Sequence, residues 1–199
     1  DRRSLPDRHG VNMPTQAESV TESQIITGVY VVVPKVHADD RGLFVETYRR
    51  EWIPGAREMI QTNRSDKSAG SLVGLHYHLH QSDYWYVVRG SMRVVLHDLR
   101  LGGPTDGATQ IIDLHADEHR GVYIPPGVAH GFAALTDLTM TYLVDGYYNP
   151  ADELGVAWND PAVGADWGVA DPVMSNRDRT NPSRSAIAEH QRPRWPLRT

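Results

Sequence analysis

Three of the ten histidines in this 199-residue chain lie within the short segment Gly74-Leu75-His76-Tyr77-His78-Leu79-His80. If the segment is a strand, its period of two places His76, His78 and His80 on one face. Imidazole rings bury poorly without polar partners. Three histidines on one face of a strand therefore indicate the wall of an active site, suited to proton transfer near neutral pH or to metal ligation. The alternative is an exposed polar face on an outer strand.

Runs of β-branched and aromatic residues recur along the chain and are the elements that must position these histidines. They cover residues 25–26, 29–33, 43–48, 84–88, 92–96, 109–114, 121–124, 132–135 and 140–144. Turn sequences such as Arg89-Gly90 and Pro125-Pro126-Gly127 separate them, and many short strands so divided favour a sandwich or barrel. One short helix is expected within residues 49–59, where Pro54 and Gly55 interrupt it. The predicted class is all-β, with short peripheral helices.

Charge and composition restrict the partners. The chain carries 20 Lys and Arg against 25 Asp and Glu, a net charge of −5, which argues against a nucleic-acid partner because such binding needs a basic surface. It has no cysteine, so disulfides, a thiol nucleophile and a cysteine zinc site are excluded.

No apolar run approaches the ~20 residues that span a bilayer, and the N-terminal segment lacks the apolar stretch of a signal peptide. We expect a cytoplasmic protein without a membrane partner.

The length fits one domain with polar ends. Residues 1–24 are polar and predict a flexible N-terminal arm, residues 25–181 the folded domain, and residues 182–199 a polar C-terminal tail rich in Pro and Arg. In the tail, Trp195 is either an anchor that docks the segment or an exposed side chain.

The spacing of the histidines matches the two-part signature of the cupin superfamily. The first motif is carried by Gly70, His76, His78, Asp83 and Gly90, and the second by Pro125, Gly127 and His130. Asp83 stands where that motif usually carries glutamate. The resemblance implies a small β jelly roll whose site lies inside the barrel.

From about residue 29 to residue 178 the chain also resembles a narrower group, the dTDP-4-dehydrorhamnose 3,5-epimerase family of homodimeric cupin-fold enzymes. The matching motifs are Asp40-Arg41-Gly42-Leu43-Phe44, Gln61-Thr62-Asn63, Gly74-Leu75-His76-Tyr77, Asp98-Leu99-Arg100, Ala129-His130-Gly131-Phe132, Tyr147-Tyr148-Asn149-Pro150, Trp158-Asn159-Asp160-Pro161 and Ser175-Asn176-Arg177-Asp178. The resemblance implies a role in deoxysugar biosynthesis, without a cofactor, on a dTDP-linked 4-keto-6-deoxyhexose. The ketone of such a sugar acidifies the hydrogens on the neighbouring carbons.

The same resemblance assigns the catalytic groups. His76 matches the base, Asp178 the carboxylate that orients it, and Tyr142 the acid on the other face of the sugar, although a strand tyrosine is also an ordinary core residue. The implied substrate contacts are Arg41, for the diphosphate, with Gln61, Asn63, His130 and Tyr148.

Two positions depart from the family pattern. Val73 replaces an arginine that helps to hold the phosphates; Arg64 either compensates for it or is simply exposed. Asp83 replaces a lysine whose charge stabilises the enolate oxygen, and a carboxylate there would repel that oxygen.

These departures leave three hypotheses. The leading one is an epimerase that uses His76, Tyr142 and Asp178. In the second, a divalent metal (Zn, Fe, Mn, Ni or Cu) is held by His76, His78, Asp83 and His130 in an isomerase, lyase or dioxygenase; His76 would then no longer be a free base. The third is a catalytically silent cupin that binds a sugar nucleotide.

Overall fold

Thirteen β-strands form the fold within residues 17–196, the part of the chain that the computed structural model describes. The strands are β1 (Ser19–Glu22), β2 (Tyr30–Val33), β3 (Val36–Asp39), β4 (Gly42–Val45), β5 (Gln61–Lys67), β6 (Leu72–Tyr77), β7 (Asp83–Arg89), β8 (Ser91–Asp98), β9 (Thr109–His115), β10 (Gly121–Ile124), β11 (Val128–Ala134), β12 (Leu138–Val144) and β13 (Leu154–Gly155). The helical elements in this range are α1 (Asn176–Arg179) and the 3₁₀ turns Arg50–Trp52, Ala116–Glu118, Pro150–Asp152, Arg184–Ala186 and Glu189–Gln191.

Two antiparallel sheets pack face to face. One has the strand order β1-β2-β10-β7-β12-β5 and the other the order β13-β6-β11-β8-β9, while β3 and β4 pair only with each other. Strands that are neighbours in a sheet are mostly distant in sequence, as in a jelly roll. The predicted all-β class is confirmed.

The core lies between the sheets and follows the alternation of the strands. In β7, Trp85 and Val87 point into the core between the sheets, whereas Tyr84 and Tyr86 pack on the outer face of the same sheet. Both large sheets contribute to the inner cluster, which includes Met92, Val94, Leu96, Val122, Ile124, Phe132, Leu138 and Met140.

Each outer face is covered by a loop segment. Ile53 and Ala56 cover the tyrosines of the six-stranded sheet. Trp167 and Ile187 pack on the outside of the five-stranded sheet. The second covering segment includes α1, which is thereby held against β6.

The ends of the domain differ from the predicted boundaries. Residues 19–22 of the predicted arm form β1, which pairs with β2, because an edge strand can form through backbone hydrogen bonds without an apolar face. The rest of that arm, residues 1–16, lies outside the described part of the chain. Residues 25–26 lie in the turn after β1, and only the 3₁₀ turn Arg50–Trp52 forms within residues 49–59.

The C-terminal segment packs on the domain up to Trp195, whose N–H donates to the carbonyl of Leu101 at 3.0 Å. Nε of Arg192 donates to the carbonyl of Leu99 at 2.9 Å, and the Arg100 guanidinium lies 5.0 Å from the centre of the Trp195 ring. Of the two interpretations of Trp195, its contact with Arg100 favours the anchor. No helix within residues 17–196 is long and apolar enough to cross a bilayer.

Candidate active site

A cavity of about 560 Å³ lies between the two sheets. Its wall contains most of the residues to which the sequence assigns chemistry, together with two basic residues that the sequence analysis did not single out. Those lining residues are His76, His78, Asp83, His130, Tyr142, Tyr148 and Asp178, with Lys67 and Arg177 as the additional pair.

His76 and Asp178 form a hydrogen-bonded pair. Nε2 of His76 lies 2.6 Å from Oδ1 of Asp178, and the other carboxylate oxygen accepts the N–H of Gly74 at 3.3 Å. Burial raises the pKa of Asp178, but hydrogen bonds from His76, Gly74 and Ser175 outweigh burial and leave that pKa below its ordinary value. The ionised carboxylate can only accept a hydrogen bond, so Nε2 of His76 carries the hydrogen that it donates. The lone pair of the neutral ring is therefore on Nδ1.

Two glycines set the position of His76. Gly74 has a φ of +111°, and a Cβ added there would lie 2.7 Å from Cα of Gly131 and 2.8 Å from the carbonyl oxygen of His130. Only glycine allows both this backbone conformation and this approach. β6 and β11 therefore come close enough to place His76 opposite His130 in the register.

Tyr142 faces His76 from the other sheet, since β12 belongs to the six-stranded sheet and β6 to the five-stranded one. Burial raises the pKa of Tyr142, and the carboxylates of Asp83 and Glu153 raise it further. The phenol therefore keeps its proton at neutral pH and can donate it. A substrate between the sheets would have a base on one side and an acid on the other.

Two histidines and one carboxylate form a second buried group in the same wall. His78, Asp83 and His130 are 4%, 3% and 6% exposed, and each offers a ligand atom within 4.8 Å of the other two. Burial lowers the pKa of His130, which keeps its ring neutral. His76 is not part of this group, so the structure does not assemble the four-ligand metal set expected from the sequence.

The strand ends earlier than the histidine pattern predicts. β6 stops at Tyr77, so the period of two does not extend through the loop that follows. His76 and His78 line the cavity, whereas His80 does not. The expected wall of three histidines is therefore formed by His76, His78 and His130.

The inner face of β5 brings Lys67 to the cavity. Gln61, Asn63, Ser65 and Lys67 are partly buried and alternate with exposed residues, and Ser65 and Lys67 line the cavity. Arg64 lies on the opposite face and bonds to Asp66 at 2.9 Å. Of the two interpretations of Arg64, the structure favours a simply exposed side chain over compensation for Val73, because the alternation of the strand turns this side chain outward.

With Arg64, four predicted substrate contacts lie outside the cavity lining. Gln61 donates to Asn63 at 2.9 Å, and both share the face of β5 that carries Lys67. Arg41 lies in the β3–β4 hairpin, where it bonds to Asp39 and is 89% exposed. Arg41 is not among the residues that line the cavity of its own chain.

Comparison with known proteins identifies the family. The model of the dTDP-4-dehydrorhamnose 3,5-epimerase family matches residues 23–185. The chain belongs to this family. A dTDP-4-dehydrorhamnose 3,5-epimerase of Mycobacterium tuberculosis is 36% identical to it over 182 residues, which cover 85% of this chain and 90% of the relative.

Solved epimerases share the fold of this family member. The Legionella pneumophila enzyme, solved in complex with dTDP-4-keto-L-rhamnose, superposes with a TM-score of 0.84 at 30% identity and covers 89% of this chain and 98% of its own. ChmJ of Streptomyces bikiniensis, a 3'-monoepimerase in complex with dTDP-quinovose, gives a TM-score of 0.80 at 32% identity and covers 88% and 93%.

Proposed function

We propose that this epimerase-family protein inverts a carbon next to the ketone of a dTDP-linked 4-keto-6-deoxyhexose. The observation that carries the proposal is the His76–Asp178 pair, 2.6 Å apart, in a cavity whose opposite wall holds Tyr142. Inversion needs removal of a proton from one face and delivery of a proton to the other. Groups on two facing sheets meet that requirement.

His76 acts as the base. The ketone acidifies the neighbouring C–H bonds, and Nδ1 of His76 takes the proton while the C–H electron pair moves into the enolate. Asp178 holds the ring in the tautomer that keeps Nδ1 free and stabilises the imidazolium that forms. Tyr142 then donates its phenolic proton to the same carbon from the opposite face, and proton exchange with water restores both groups.

Lys67 and Arg177 are the basic groups that we assign to the diphosphate. Both line the cavity. Arg177 is held by Glu153 at 3.3 Å, whereas Lys67 forms no ion pair within the described part of the chain. An ammonium at this position supplies a cation in a site where Val73 has replaced the arginine typical of the family.

The other two hypotheses fit the geometry less well. A four-ligand metal enzyme requires His76 as a ligand, yet His76 does not belong to the group of ligand atoms that lie within 4.8 Å of one another. A silent binding protein has no need for this hydrogen-bonded pair. The cytoplasmic location stays a prediction.

We also propose a homodimer in which an early strand of each chain joins the sheet of the other. In the single chain, Leu43 and Phe44 of the β3–β4 hairpin are 60% and 67% exposed, an apolar pair that a second copy would cover. Light scattering should give twice the 22.3 kDa chain mass. The mass of a single chain at micromolar concentration would contradict this proposal.

Hydrogen exchange into the substrate tests the reaction directly. In heavy water the wild-type chain should introduce deuterium at a carbon flanking the ketone of the dTDP-linked sugar, and NMR of the product shows whether one or both carbons exchange. His76→Asn should abolish the exchange while leaving dTDP binding intact. Binding of the sugar nucleotide without exchange in the wild type would contradict the proposal.

A further inference from the structure

His78, Asp83 and His130 converge on one point of the cavity wall. They come from three places in the fold: the loop after β6, the start of β7, and β11. Nε2 of His78 lies 3.7 Å from the Asp83 carboxylate and Nε2 of His130 lies 3.9 Å from it. Both distances exceed hydrogen-bond length, so Asp83 does not accept a hydrogen bond from either ring.

The outer nitrogen of each ring is fixed by a backbone carbonyl. Nδ1 of His78 lies 2.7 Å from the carbonyl oxygen of Asp152, with a Glu153 carboxylate oxygen at 3.6 Å. Nδ1 of His130 lies 2.9 Å from the carbonyl oxygen of Val128. Because a carbonyl only accepts, Nδ1 carries the hydrogen in both rings and Nε2 carries the lone pair. Metal-binding histidines are held in the same way.

The third ligand is oriented as well. Asp83 accepts a hydrogen bond from Nε1 of Trp85 at 3.1 Å and one from Nε2 of Gln81 at 3.0 Å. The Gln81 nitrogen also lies 3.2 Å from Nε2 of His78, a contact that an ion would replace. Nε2 of His130 has no hydrogen-bond partner within residues 17–196, although the side chain is 93% buried. This nitrogen therefore presents a free lone pair to the cavity that His130 lines.

The separations fit a small divalent ion. Ligands held ~2.1 Å from a tetrahedral ion lie about 3.4 Å apart, so the observed distances of 3.7 and 3.9 Å need to close by only a few tenths of an ångström. Two imidazoles and one carboxylate are ligands that zinc and ferrous iron accept, with positions left open. Those positions face the cavity, which all three side chains line.

His76 is separate from this site, because it does not belong to the group of ligand atoms that lie within 4.8 Å of one another. A base and an ion can therefore be present in the same cavity. The ion would sit beside Asp83, the position where the family resemblance implies a lysine. When bound, it would supply positive charge to an anionic oxygen of the substrate.

We propose that His78, Asp83 and His130 bind one divalent transition-metal ion, zinc or ferrous iron, in place of the cation that the family's lysine provides. Binding of the ion follows from the three side chains alone. Its role in the reaction rests on the function proposed above.

Metal binding is measured on the full-length chain, purified without a His tag, stripped with a chelator and titrated with Zn²⁺ or Co²⁺. We expect one ion per chain and a Co²⁺ visible spectrum with bands from imidazole ligands. Asp83→Asn and His130→Gln should each weaken binding by at least about a hundredfold. His80→Gln, a change in the same loop outside the cavity, should bind as the wild type does. Circular dichroism establishes that each variant is folded.

The wild-type spectrum decides the question even if a variant does not fold. No bound ion, or binding that His80→Gln removes and Asp83→Asn does not, would overturn the proposed site. Deuterium exchange into the substrate then tests the role. Exchange that stops on stripping and returns with the ion supports the role, whereas exchange unchanged by stripping overturns it and leaves the epimerase proposal intact. A chain that binds the ion and the sugar nucleotide without any exchange refutes the epimerase and supports the site alone.

Discussion

The carboxylate of Asp178 contacts both the ring and the backbone of the His76 strand: Oδ1 lies 2.6 Å from Nε2 of His76, and Oδ2 accepts the N–H of Gly74 at 3.3 Å. Asp178 itself is fixed because its own N–H donates to Oγ of Ser175 at the start of α1. The ring is thus held in one orientation, with the lone pair on Nδ1.

Asp178→Asn tests this arrangement. The amide can donate to Nε2 of His76, which would move the ring hydrogen to Nδ1 and remove the base. We expect the deuterium exchange rate to fall by roughly 10³- to 10⁴-fold, as when the equivalent carboxylate of a serine protease is replaced, with dTDP affinity unchanged. Asp171→Asn, an exposed change in the same segment, is the control. Wild-type exchange in Asp178→Asn would show that the carboxylate does not set the tautomer.

Tyr142→Phe separates proton removal from proton return. His76 remains, so some exchange of deuterium at the carbon beside the ketone should persist. Inverted product should be lost, because the phenol that returns the proton from the second sheet is gone. Product NMR measures both quantities in one sample. Tyr147→Phe, which alters a tyrosine that is 71% exposed, should leave both unchanged, and inversion at the wild-type rate in Tyr142→Phe would remove Tyr142 as the acid.

Lys67→Met and Arg64→Met are a matched pair on opposite faces of β5. Lys67 lines the cavity, so its loss should weaken dTDP binding by roughly 10- to 100-fold, the range for a charged hydrogen bond. Arg64→Met should have no effect, since Arg64 bonds to Asp66 outside. Calorimetric titration gives the affinities. Equal affinity in both variants would exclude Lys67 from the phosphate site.

The sequence predicts the strands that have an apolar face and misses those that do not. Nearly continuous apolar runs locate β7 and β8, whereas β1 is polar and mostly exposed, so no apolar pattern marks it. Lys67 could have been found, because the alternation that places Gln61 and Asn63 inward also places Lys67 inward and Arg64 outward. The pairing of His76 with Asp178 has no local signal. It depends on how the segment after β13 folds back over β6, and only the family resemblance predicts it.

His97 should make the protein less stable in mild acid. Its ring is buried, Nε of Arg184 donates to its Nε2 at 2.9 Å, and burial together with the Arg184 charge lowers its pKa to about 4. The unfolded chain, with an ordinary histidine pKa of about 6.5, therefore binds one more proton between these two values, and stability falls as the pH falls through this window. The contribution is about 2 kcal/mol between about pH 7 and pH 4.5.

Urea unfolding at these two pH values measures the effect of His97. Between the higher and the lower pH, the free energy of unfolding of the wild type should fall by about 2 kcal/mol because of His97, in addition to any other acid-sensitive contribution. The free energy of unfolding of His97→Gln should fall by correspondingly less. His115→Gln, a change at an exposed position, should follow the wild type. The same pH dependence in His97→Gln and in the wild type would show that His97 does not titrate on unfolding.

Asp83→Asn and Asp83→Lys together test what the cavity requires at this position. Both variants lose a ligand beside His78 and His130, so both should fail to bind the metal ion. They differ in charge, because only lysine restores a cation near the oxygen on which negative charge develops. Loss of a group that stabilises this negative charge typically costs roughly 10²-fold or more in rate. Deuterium exchange should therefore be severely reduced in Asp83→Asn. It should be partly recovered, without metal, in Asp83→Lys. Metal analysis and deuterium exchange on the same samples provide both readings. If deuterium exchange is equally low in the two variants, an ammonium at this position cannot replace the ion. If exchange is equally high in both, the reaction needs no cation there.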